Sequence, residues 1–181
     1  MQDLIEQIRW RLDEKRRELD ATIAKLPAKY RDCNPVYPPV PASTLLAAES
    51  RLGFTLPPLL RELYLQVSNG RFGPNHGISG LEGGYPIGAP WANDDIDIVE
   101  AYLATQEAGY DDFVPREIVI CDWGCGSGSA VDCSTPEGEM VYLRNNLAFR
   151  EGITFRQWME HWLNGVDLEE RALKCKSTER F

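Results

Sequence analysis

Apolar side chains at Leu4, Ile8, Leu12, Leu19, Ile23 and Leu26 follow one another at intervals of four, four, seven, four and three, with charged residues filling the gaps. That spacing draws one narrow stripe and predicts a long amphipathic N-terminal helix. So thin a stripe either lies along a domain or pairs with another helix, and no heptad series of three or more continues it. Cys33 to Pro41 then holds four prolines in nine residues. Proline lacks the amide proton that a helix interior needs, so an extended connector is predicted.

From Ser43 the pattern becomes regular. Ser43 is suited to cap a helix with Leu45, Leu46, Glu49 and Leu52 on its inner face, and Gly53 to its left-handed stop. Pro57-Pro58 opens a second helix that buries Leu59, Leu60, Leu63, Tyr64 and Val67 and ends at Asn69-Gly70. Seven glycines in residues 70–90 predict turns and short edge strands. A further helix is expected from Asp94 or Asp95, with Ile96, Val99, Tyr102 and Leu103 inward and acidic side chains at its dipole-favoured start. Glu117–Cys121, Ser129–Cys133 and Met140–Leu143 read as strands, with a turn at Pro136-Glu137-Gly138. Thr154–Leu163 reads as a helix carrying Phe155, Trp158, Met159 and Trp162, and a polar tail follows.

The order is helices, glycine-rich segment, helix, antiparallel strands, helix. It predicts an α+β domain flanked by helices and not a doubly wound nucleotide fold. The chain divides into an N-terminal helix at 1–31, a proline-rich connector at 32–42, the domain at 43–168 and a polar tail at 169–181.

Composition changes this picture little, but charge changes it considerably. The chain has 181 residues, 43% hydrophobic and 26% charged, near the averages for folded soluble domains. Its formal net charge is −9, which disfavours a nucleic-acid or anionic membrane partner. The charge is uneven. Residues 1–31 carry eight basic and six acidic side chains, whereas residues 82–139 carry 13 acidic ones and a single basic one, Arg116. No apolar run of about 18 residues predicts a membrane span. Met1 to Trp10 does not read as a secretory signal, so the five cysteines are expected as reduced thiols in a cytoplasm.

Catalytic and cofactor chemistry is poorly represented. Cys121, Cys125 and Cys133, spaced by four and eight with both histidines far off, match no common zinc pattern, and no metal is expected. Gly124-Cys125-Gly126-Ser127-Gly128-Ser129 precedes a strand-like segment with no lysine between 82 and 139. A tight strand-to-strand turn is therefore expected there in place of a phosphate cradle. His76 and His161 have no nucleophile at an informative spacing, so no catalytic residue and no cofactor is assigned.

One feature stands out. Trp91, Asp94, Asp95, Asp97, Glu100, Tyr110, Asp111, Asp112, Asp122 and Trp123 combine aromatic anchors with one sign of charge. Such a mixture suits a protein-binding surface facing a basic partner. A merely soluble acidic surface with buried tryptophans is the alternative.

Three segments together resemble one family: LLAAESRLGFTLPPLLRELYLQVSNGRFG at 45–73, VICDWGCGSGSAVDCSTPEGEMVYL at 119–143 and TFRQWMEHWLNG at 154–165. In this order they are similar to the SUKH superfamily, the Smi/Knr-type domain of bacterial toxin-immunity proteins and of a fungal cell-wall assembly regulator. The likeness covers about residues 43–165 and leaves 1–42 outside. Arg71 departs from the pattern, which more often repeats glycine after Asn69-Gly70. The resemblance implies a twisted mixed sheet, no catalytic set, and binding of a cognate toxin, often a nuclease or deaminase and commonly basic. It equally admits a regulatory or scaffold module.

Overall fold

The computed structural model describes residues 1–25, 37–87, 96–109, 113–145, 147–175 and 177–179, without the side chains of residues 19, 23 and 177–179. Helix α1 (Gln2–Ile23) lies along the domain. Its Leu4, Ile5, Ile8 and Leu12 are buried in the main core, and the helix packs against α3 (Pro58–Gln66) and α5 (Phe155–Leu163). Ile5 is an inward residue that the predicted stripe lacks. Polar groups hold the same interface. The Arg9 guanidinium donates to the carbonyl of Gln66 through Nε at 3.0 Å and Nη2 at 2.8 Å, satisfying an orphan carbonyl at the end of α3. Lys15 donates to Gly73 O and lies 5.1 Å from the ring centre of Trp162.

Helix α2 (Ala42–Leu52) begins after Pro41, so Ser43 sits inside its first turn and is not the cap. Leu45, Ala48, Glu49 and Leu52 face inward. Leu46 is 59% exposed, because the buried face follows i, i+3, i+4 and i+7 from Leu45. Glu49 has a specific reason to be inside. Its Oε1 accepts the Leu56 amide at 2.8 Å and lies 3.0 Å from Arg61 Nε, fixing the connector between α2 and α3.

Residues 70–87 form turns without a regular strand, so the predicted edge strands are not found there. Backbone bonds nevertheless tie this stretch to its surroundings: Arg71 N to Ile78 O, Ser79 N to Ile120 O and Tyr85 N to Asn69 O. Helix α4 (Ile98–Ala108) starts later than predicted, with Asp97 as its cap. Ile96, expected inside, is 37% exposed.

The strands form one sheet in the order β1 (Glu117–Gly124), β2 (Ser127–Asp132), β3 (Glu139–Arg144), β4 (Leu147–Thr154) and β5 (Ser177–Glu179). Every pairing is antiparallel, so of the mixed or antiparallel sheet expected the strands form the antiparallel one, a meander. The turn expected at Gly124–Ser129 joins β1 to β2. Cys125 and Gly126 both have positive φ, 52° and 74°, the geometry of a two-residue hairpin. One sheet face sends Ile118, Val131 and Met140 into the core beneath the helices. The other carries Val119, Ala130, Val141, Leu143 and Ala148. Strand β4 was not anticipated from sequence. Helix α5 carries the predicted aromatic face behind a capping box of Thr154 and Gln157. The tail adds a short helix, α6 (Leu168–Leu173), whose Ala172 packs against Tyr142 and Phe149.

Candidate protein-interaction site

The ten residues singled out in the acidic middle do not share one environment. Trp91, Asp94, Asp95, Tyr110, Asp111 and Asp112 lie outside the described residues. Of the other four, Asp97 is buried, and its Oδ1 accepts the amides of Val99 at 2.8 Å and Glu100 at 2.9 Å. That is the cap of α4, so its carboxylate belongs to the helix start and not to an exposed surface. Glu100 is exposed on α4, 4.0 Å from Arg51. At that distance and exposure the ion pair adds little stability and leaves Glu100 accessible.

Asp122 and Trp123 lie near the end of β1. The Asp122 carboxylate accepts the Gly124 amide at 2.8 Å and so shapes the hairpin turn. Trp123 is half-buried: its Nε1–H donates to Ser129 Oγ at 2.8 Å, and its ring packs beside the cluster of Tyr142 and Phe149. It is anchored on one side and partly open on the other, as an aromatic interface residue commonly is.

The fold brings together a further group that the linear sequence did not reveal. Glu117, Asp132 and Glu139 occupy directly opposed positions on three neighbouring strands. Arg150 of β4 reaches all of them, 3.8 Å from Glu117 and 3.1 Å from each of the other two. Three carboxylates thus share one guanidinium. Burial alone would push the Asp132 carboxyl up, but bonds from Ser134 and Arg150 hold it below its ordinary value. Beside this cluster a groove of about 290 Å³ runs between α4 and the outer sheet face, with Ile98, Ala101, Tyr102, Phe113, Val119 and Leu143 in its walls. Glu117 is its charged lining residue among those described. A period-two alternation of Glu139, Val141 and Leu143 was the available signal, but the register that aligns β3 with β1 is not local.

Two of the described thiols, Cys121 and Cys133, lack the setting of an activated nucleophile. Cys121 is buried with its Sγ 3.9 Å from Pro74 O, and burial pushes it and Cys133 up to about 12. An activated cysteine is shifted the other way. Among the described residues, no group of three or more His, Cys, Asp or Glu is placed to hold a metal ion. No described helix is long and apolar enough to cross a membrane.

The antiparallel meander, the α2–α3 pair and the capped α5 follow the same order as the three segments quoted above. A family model described as SMI1 / KNR4 family (SUKH-1) matches residues 39–163. The chain belongs to the SMI1/KNR4 (SUKH-1) family. No curated protein and no solved structure matches the chain. The SUKH-1 match runs from just before α2 to the end of α5, leaving α1, α6 and β5 outside it. Membership supports a general protein-binding, immunity-like function for a domain type that is generally non-catalytic.

Arg71, the departure from the SUKH pattern, has φ = 62°, a backbone region that glycine enters freely and other residues at a cost. Its guanidinium lies 5.9 Å from the ring centre of Tyr85. The turn therefore keeps the shape a glycine would give, with a cation–π contact added.

Proposed function

We propose that this SUKH-1 domain is an immunity protein that acts in the cytoplasm and neutralises a cognate toxin by direct binding, the toxin being basic and of nuclease or deaminase type. The observation that carries this finer reading is the charge distribution: 13 acidic residues against Arg116 alone over 82–139, in a chain whose N-terminal 31 residues are net positive. An acidic surface competes with a phosphate backbone for the cationic face of a nucleic-acid-directed toxin and speeds encounter with it. Glu100, Asp122 and half-buried Trp123 are the described members of that surface, joined in the proposal by Trp91, Asp94, Asp95, Tyr110, Asp111 and Asp112.

The test is inhibition of the toxin encoded by the adjoining reading frame. Asp94→Lys with Asp95→Lys should weaken inhibition and alter its salt dependence, while Asp97 is kept because it caps α4. Unchanged inhibition by the double variant removes the charge mechanism. One observation favours a second reading, a regulatory or scaffold module. Trp10 on α1 is 59% exposed and lies outside the matched residues. Deleting residues 1–31 would remove four core side chains, so Trp10→Ser is the discriminating change. An immunity domain retains toxin binding in that variant, whereas a scaffold recruited through α1 loses its partner.

A further inference from the structure

We propose that the solvent face of α1 is a docking surface for a cationic amphipathic helix of a second protein, with Trp10 as the apolar anchor. The inference does not rest on toxin neutralisation. It deepens the second reading, on which it rests, by giving the partner recruited through α1 a place and a chemistry.

The position of Trp10 inverts the amphipathic pattern of its helix. Leu4, Ile5, Ile8 and Leu12 point into the core. At about 100° per residue, Trp10 falls on the opposite side, along the outermost line of α1. It is 59% exposed, and among the described residues neither a hydrogen bond nor a ring contact holds it. A lone exposed apolar side chain is ordinary on a protein surface. The charges around this one are what make it a site.

By composition the N-terminal segment is net positive, yet α1 turns its cations toward the domain. Arg9 donates to Gln66 O, Arg11 pairs with Glu14 at 2.6 Å, Lys15 reaches Gly73 O beside Trp162, and Arg16 is half-buried. The outward line carries the opposite sign. Asp3, Glu6 and Asp13 lie seven and four residues before Trp10 and three after it, all exposed, and among the described residues they form no ion pair. Those spacings place them on the face of the indole. Arg17 is the exposed basic residue of α1, and its Nε donates to Asp13 O at 3.2 Å. The face therefore stays net negative around an apolar centre. A second copy would set one such face against another, and an anionic membrane or a nucleic acid would be repelled. A helix with Lys or Arg beside an apolar stripe answers both features, and a cation over the indole adds a further attraction. Asp3 to Arg17 spans about 21 Å, room for a partner helix of some four turns.

The test uses the full chain and a synthetic amphipathic helical peptide with Leu on one face and Lys on the other. The indole N–H signal of Trp10 is followed by NMR and identified by its loss in Trp10→Phe. The expected result is a saturable shift of that signal. Affinity should fall roughly tenfold or more in Trp10→Ser, and again in the double variant Glu6→Lys with Asp13→Lys. All three positions are exposed, so both proteins keep the core of α1. Raising salt from about 50 to about 500 mM should also weaken the complex. An unmoved Trp10 signal overturns the inference, as does equal affinity of Trp10→Ser or equal binding of a peptide with Glu in place of Lys. Self-association removed by Trp10→Ser without peptide binding overturns it by making a second copy the occupant. A Trp10 shift with neutral phosphatidylcholine vesicles and none with peptide overturns it in favour of a lipid surface. Inhibition of the adjoining toxin should survive in Trp10→Ser; its loss there would make the toxin the occupant and overturn the separate partner. Failure of the toxin reading looks different, because the wild type then inhibits nothing while the peptide still binds through Trp10.

Discussion

Asn69 holds the glycine-rich segment in place, and its replacement gives a sharp test of that assignment. The residue is 4% exposed. Its Oδ1 accepts the Leu81 amide at 2.8 Å, and its Nδ2 donates to Leu81 O at 3.2 Å and Glu82 O at 3.1 Å. Asn69→Ala removes all three bonds and strands one amide and two carbonyls, at least two of these groups in a buried setting. An unsatisfied buried polar group costs about 1–3 kcal/mol, so the total should be about 3–5 kcal/mol. A void adds to it, because the backbone of Gly84 packs directly on the amide: a Cβ there would lie 2.4 Å from Asn69 Cγ. With a urea slope of about 2–3 kcal/mol/M, the unfolding midpoint should fall by about 1–2 M. Asn69→Asp is the chemical control. It keeps an acceptor for the Leu81 amide but turns an oxygen toward two carbonyls, so it should be destabilising although isosteric. A midpoint shift below about 0.4 M for Asn69→Ala, together with unchanged exchange of the Leu81 amide, would refute the assignment.

Other outcomes follow from burial. In the native protein a thiol reagent should modify exposed Cys125 rapidly and leave Cys121 and Cys133 untouched until unfolding; fast labelling of either buried thiol would contradict their placement. Burial raises the Glu151 carboxyl from 4.5 to about 7 even with Arg171 at 2.7 Å. The folded state therefore binds this proton more tightly than the unfolded one, and the contribution is full below about pH 4.5 and lost as pH rises through about 7. Glu151→Gln should flatten that part of the stability profile, by on the order of 3 kcal/mol, and parallel profiles for the two proteins would exclude the effect. Ile8→Ala, at a fully buried position of α1, should cost about 2–5 kcal/mol in a single cooperative urea transition. A loss under about 0.5 kcal/mol would mean that α1 does not share the core.

By itself the sequence determined what depends on neighbours along the chain. Gly53 ends α2 with φ = 77°, and Phe155, Trp158 and Met159 recur at helical spacing behind Thr154, because caps and amphipathic periodicity are local. The Cys125-Gly126 turn was legible for the same reason. Tertiary structure decided the rest. Asp94, Asp95 and Asp97 are all of a type that caps helices; Asp97 is used, with bonds from Ile87 N to Ile96 O and from Ile98 N to Gly80 O pinning the backbone on either side of it. Strand β4 escaped notice because Arg150 and Glu151 interrupt its apolar run. Only in the folded domain do they find partners, Arg150 with three carboxylates of the sheet and Glu151 with Arg171 of α6. The thin stripe on α1 left its packing open until Ile5 joined Leu4, Ile8 and Leu12 against α3 and α5. The acidic middle shows the division most clearly. Composition established its sign, since charge is a property of the residues alone. Asp97 inside a helix cap and Glu117 at the end of an apolar groove are matters of register and burial, set by contacts between residues far apart in the chain.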